Sequence, residues 1–217
     1  SGGSILLGNA TLTTGDAGDT AFSGTISGPG SVVKQGAGTW TVGGANSFSG
    51  TLTVKQGTLS VPAVNGANAS GPLGNSASSV TLGSSGAAGA LLYTGATASS
   101  NKPFALAAGG TGEFNIQSAS AALTLSGTIS GSGALSKTGL GTLVLTGTNS
   151  YSGGNSVSQD TLQGNTASIL GNVALANNGK LIFDQGTFGA YTGSISGTGQ
   201  VTKTGGDTLT LLGNGTY

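Results

Sequence analysis

The 217 residues contain no cysteine, histidine, arginine or methionine, and only 6% are charged. Without Cys there are no disulfides, no thiolate nucleophile and no zinc–thiolate site. Without His or Cys, neither a Ser-His-Asp nor a Cys-His catalytic site can be assembled. Without Arg, the bidentate clamps for carboxylate and phosphoryl groups are missing. Six Lys against five Asp and one Glu give a net charge of zero, whereas a nucleic-acid surface must be basic enough to displace counterions. No nucleic-acid partner is expected. No apolar run approaches the length of a membrane helix, and "SGGSILLGN" is not a basic region followed by an apolar one. The segment is therefore not expected to insert in a membrane, and it reads as a processed product or an internal fragment.

What is abundant is glycine, with 44 residues against four prolines. No Gly-X-Y period exists, which excludes collagen. Low charge and many short apolar runs argue against disorder. Glycine recurs beside Thr, Leu, Val, Ser and Asn, the signature of short strands separated by tight turns.

Three stretches align without a gap: "GTISGPGSVVKQGAGTWTVGGANSFSG" from Gly24, "GTISGSGALSKTGLGTLVLTGTNSYSG" from Gly127 and "GSISGTGQVTKTGGDTLTLLGNGTY" from Gly193. Lys34, Lys137 and Lys203 coincide, as do Trp40, Leu143 and Leu209, and then Phe48, Tyr151 and Tyr217. A second unit, "PLGNSASSVTLG" from Pro72, resembles "ILGNVALANNG" from Ile169. The repeats fall near 24–61, 127–164 and 193–217 within a single domain spanning 1–217. The copies lie 103 and then 66 residues apart, while a finer spacing of about 20–24 residues persists.

A unit of that size cannot bury its apolar side alone, so units must stack. Parallel stacking at about 4.8 Å gives a β-solenoid of roughly ten rungs. Alternation in "GTLVLTG" places Leu143 and Leu145 inward and Val144 outward. The tetrapeptide VKQG, at 33–36 and 54–57, is expected to mark one corner on successive rungs. Gly36 and Gly57 would make the turn, and Lys34 and Lys55 would point outward, where lysine blunts sideways sheet pairing.

The pattern "GSGALSKTGLGTLVLTGTNSYSGG", Gly131 to Gly154, resembles the autotransporter-associated β-strand repeat of secreted bacterial passenger domains. The copies at Gly28 and Gly197 are similar. The resemblance implies a right-handed parallel β-helix at the outer-membrane or extracellular surface of a Gram-negative cell. It further implies a C-terminal outer-membrane barrel elsewhere in the parent, and a role in adhesion or self-association.

Few residues invite chemistry, and the expectation is no catalytic, cofactor or metal site. Asp160, Asp184 and Asp207, spaced 24 and 23 residues apart, would stack as carboxylates for glycoside hydrolysis if a rung had that length. The preferred reading makes Asp160 and Asp207 turn residues tolerant of left-handed φ, with Lys180/Asp184 and Lys203/Asp207 as exposed ion pairs. Asp16 and Asp19 raise a calcium site, against which stands an ordinary solvated turn. Trp40 is expected in the core rather than as a sugar-stacking platform, Phe48, Tyr151 and Tyr217 share a slot in which they could form an aromatic stack, structural or exposed, and Asn46 and Asn149 suit turns. Residues 62–74 and 96–104 read as loops leaving the solenoid and as the first place to seek a binding surface.

The leading functional expectation is a non-enzymatic stalk or adhesin module, with itself or a host or neighbouring cell surface as partner. Alternatives are a filament subunit joined through open solenoid ends and a carbohydrate-active enzyme or binder.

Overall fold

The computed structural model describes residues 2–217, and among them there are strands and turns but no helix. Every strand-to-strand pairing is parallel. The chain winds as a β-solenoid of roughly ten coils with three faces, which we call A, B and C in the order the chain visits them.

Face A begins with Ser4–Leu6 on Thr25–Ser27 and later stacks Ala98–Ser100, Ala122–Leu125 and Thr142–Leu145. Face B runs through Leu12–Thr14, Val32–Lys34, Leu52–Val54, Val80–Leu82, Phe104–Leu106 and Ile129–Gly131. Face C runs through Thr20–Phe22, Thr39–Val42, Gly57–Val61, Ala88–Tyr93, Thr111–Ile116 and Ala134–Thr138. Two long strands, Asn155–Gly164 and Val173–Asp184, turn the corner from C to A without interruption.

Alternation puts one column of each face inside. On face C, Trp40, Leu59, Leu91 and Phe114 stack in register, all at most 5% exposed. Leu143 and Leu145 point inward and Val144 outward, as the sequence predicts. Turning a corner inside a stack leaves little room for a side chain. Gly131, at φ +100°, shows why: a Cβ there would overlap the Leu106 carbonyl of the coil below.

The three sequence copies do not occupy equivalent places. In the first, the strands lie on A (Thr25–Ser27), B (Val32–Lys34) and C (Thr39–Val42). In the second they lie on B (Ile129–Gly131), C (Ala134–Thr138) and A (Thr142–Leu145). In the third they lie on C (Ile195–Gly197), A (Gln200–Thr204) and B (Leu209–Leu211). Each copy is thus advanced by one face. The three faces pose the same packing problem, so one phrase solves it on any of them.

Candidate interaction surface

The repeated lysine is inside, not outside. Lys34 and Lys137 are fully buried, each at the end of a strand, with Val32 and Leu135 two residues earlier on the same inward side. The Lys34 ammonium donates to the carbonyls of Gln35, Gly36 and Gln56 at 3.0, 2.8 and 3.1 Å. Lys137 repeats the arrangement with Thr138, Gly139 and Gln159 at 2.7, 3.0 and 3.2 Å. Where a strand ends at a corner, carbonyls leave the ladder, and an ammonium has three donors to satisfy three of them. The third acceptor belongs to the next coil, so each lysine clasps two coils together. Lys203, in the last copy, makes only the bond to Gly205, at 2.7 Å, and is exposed.

The two VKQG phrases therefore lie in opposite phase. They are 21 residues apart, but the strands pair Lys34 with Val54 at a spacing of 20. That one-residue difference turns Lys34 inward and Lys55 outward. Burial lowers the Lys34 pKa, opposed by the nearby Asp16 and Asp19 carboxylates. Burial pushes Lys137 down to about 8, opposed by Asp160.

A third buried lysine, Lys102, donates to the Gly74 and Ser76 carbonyls at 3.0 and 2.6 Å. It overturns the expectation of a free loop over 96–104, where Ala98–Ser100 is instead a strand of face A. Residues 62–74 do leave the strand rhythm but fold back on themselves. The Asn65 amide donates to the Gly66, Ala69 and Gly74 carbonyls and accepts from the Leu73 N–H, and Leu73 is buried. The loop's polar groups are largely spent internally.

Asp160, Asp184 and Asp207 do not stack. Asp160 pairs across coils with Gly179, and Asp184 pairs with Thr204. Asp184 accepts from Gln163 and Thr204 side chains at 3.2 Å each, not from Lys180, and Lys203 turns to Gly205 rather than Asp207. The physical reason is register: rungs here advance by 18–20 residues, not 23 or 24. Asp160 does adopt left-handed φ, at 49°; Asp207 does not.

Asp16 accepts the Gly18 N–H at 2.8 Å and Asp19 accepts the Thr39 N–H at 2.7 Å, so both carboxylates hold backbone. Asn46 and Asn149 serve their turns as expected, accepting the Ile26 and Ile129 N–H of the coil below at 2.9 and 2.7 Å. Trp40 is in the core. The aromatic stack is not formed, because the one-face advance puts Phe48 over face A and Tyr151 beside face B. Buried Tyr151 donates to Asn155 at 2.7 Å, and burial raises its pKa to about 12.

Among the described residues, two open surfaces have a polar or charge-free lining that recurs from coil to coil. On face B the outward column is Thr13, Val33, Thr53, Thr81, Ala105 and Ser130, one residue per coil and none charged. At the corner from C to A lies an open groove of about 350 Å³, lined by polar side chains around Asp160.

Residues 32–61 and 135–163 match the passenger-associated-transport-repeat family. These two segments are similar to passenger-associated transport repeats. Both matched segments contain a lysine clasp, its coil-to-coil acceptor included. Over 219 aligned positions, 96% of this chain is 38% identical to the adhesin BmaC autotransporter of Brucella suis biovar 1 (strain 1330). The chain spans 6% of that relative's length. No solved structure matches it.

Proposed function

We propose that this chain is a non-enzymatic β-solenoid segment of a surface-displayed bacterial passenger, a stalk or adhesin module that associates laterally with copies of itself. The carrying observation is the charge-free outward column of face B, which presents one small side chain per coil on a regular spacing. Such a face permits many weak contacts with no ionic group to desolvate. Similarity to a protein named as an autotransporter adhesin supports display outside the cell and a role in attachment. The rest of that passenger and its membrane barrel would lie in the longer parent.

The test is light scattering and electron microscopy of the purified chain over a wide concentration range, beside a variant carrying Thr53→Lys and Thr81→Lys. Side-by-side growth of the native chain, lost in the variant, supports the reading. A native chain that stays monomeric at every concentration, growth that the lysines leave unchanged, or filaments one solenoid wide would each defeat lateral association through face B.

A further inference from the structure

The groove at the C-to-A corner differs from every other corner of the solenoid in how it is built. Among the described residues, only here do strands cross a corner, the long Asn155–Gly164 and Val173–Asp184, with a register shift between Val157 and Gln159. Asp160 sits in left-handed conformation at that shift and is held by the Thr161 hydroxyl at 2.8 Å. From the inside, the Lys137 ammonium pins the Gln159 carbonyl. The corner is therefore a rigid irregularity, and such bulges re-aim side chains.

What it aims is a cluster of carboxamides. Gln159, Asn177, Asn178 and Gln200 line the groove from three successive coils and are exposed. Among the described residues, none of these four side chains hydrogen-bonds to the protein, whereas Asn46, Asn65, Asn149 and Asn155 are all engaged. Asp160 and Lys180 add one charge of each sign, and exposed Leu140 closes one end with an apolar surface.

We propose that this groove binds an extended neutral glycan lying along the solenoid axis. Carboxamides offer a donor and an acceptor side by side, the match for vicinal hydroxyls, and Leu140 offers a seat for the C–H face of a ring. Asp160 and Lys180 together leave the groove without net charge, so a polyanionic chain meets a carboxylate as well as an ammonium. Gln159 and Asn178 are register partners one coil apart, at a spacing of about 4.8 Å, and Gln200 stands over Lys180 on the coil above, while an extended peptide advances about 3.3 Å per residue and falls out of step. A β-1,4-linked sugar chain, whose residue repeat is close to the coil spacing, keeps step from Gln159 to Asn178.

The experiment is a titration of the full chain with cellohexaose, maltohexaose, mannohexaose, chitohexaose and a heparin hexasaccharide, followed by the side-chain amide signals in ¹⁵N–¹H spectra. At least one neutral hexasaccharide should move the Gln159, Asn177, Asn178 and Gln200 signals saturably. The double variant Asn178→Ala/Gln200→Ala, with both residues exposed and outside the core, should keep the backbone spectrum and bind about tenfold more weakly, as expected for losing two hydrogen bonds. No movement with any of the five sugars, movement with heparin alone, or equal binding by the double variant would overturn the assignment. Because the readout is local, it is independent of whether the chain associates through face B.

Discussion

Replacing Lys137 by methionine tests whether the lysine clasp holds coils together. Methionine keeps most of the buried stem and removes only the ammonium, stranding the carbonyls of Thr138, Gly139 and Gln159. A buried acceptor left unpaired costs about 1–3 kcal/mol. Relief of the desolvation borne by the ammonium offsets part of the sum over three acceptors. The net loss should be about 2–4 kcal/mol. Lys137→Ala should cost about 2 kcal/mol more, because it also empties the space of the stem. Lys203→Met supplies the control: the same K-T-G phrase, but exposed and with a single carbonyl partner, so its cost should stay within about 0.5 kcal/mol. Urea unfolding followed by circular dichroism reads the three variants, and amide exchange over residues 134–160 reports whether the loosening is centred on the two clasped coils. A Lys137→Met protein as stable as the native one, or a Lys203→Met protein equally impaired, would refute the reasoning.

Stability should rise as pH increases from about 8 towards 10. Burial holds Lys102 and Lys137 down to about 8 in the folded chain, so over this window the unfolded chain binds more protons and loses ground as they are removed. Above pH 10 the trend should reverse. Buried Tyr151 and Tyr191 resist ionisation when folded, so their hydroxyls lose protons first in the unfolded chain. Melting temperatures at pH 7, 9.5 and 11.5 check both limbs, and a fall between the first two would contradict the burial of the lysines. Asn149→Ala should destabilise by about 1–3 kcal/mol, since it strands the Ile129 N–H and leaves the Ser168 carbonyl only the long contact with the Tyr151 hydroxyl at 3.5 Å; a denaturant midpoint unchanged from native would exclude that role. Gly131→Ala places a methyl into the Leu106 carbonyl at positive φ, and its cost should exceed about 3 kcal/mol, read as lost soluble yield or a lowered melting point.

The solenoid was legible in the sequence because it rests on two strong periods, the alternation within strands and the recurrence near 20 residues. Leu143, Leu145 and Trp40 fall where those periods put them. Lysine's charge points to an outward position, but strand parity decides against it. Val32 and Lys34, like Leu135 and Lys137, are two residues apart in one strand, and that spacing alone sends both inward. Lys55 escapes because it falls one residue out of phase with the strand below. The aromatic stack failed for a different reason: aligning copies shows which residues are equivalent in sequence, but it does not count the faces between them. The amide groove was not legible at all. Its side chains come from coils whose register shifts at Gln159, and nothing local in "SQDTLQG" or "ANNGK" shows that they meet.

The one-face advance of the repeats makes the solenoid behave as a mast whose fastenings are staggered round its circumference. Lys34 secures the edge between faces B and C, Lys137 the edge between C and A, and Lys203 stands at the edge between A and B. A load that pries open one seam meets a fastening on another a few coils further along. The arrangement also frees growth of the rod from whole turns: a duplicated stretch can be spliced in by thirds of a turn and still find a face that accepts it.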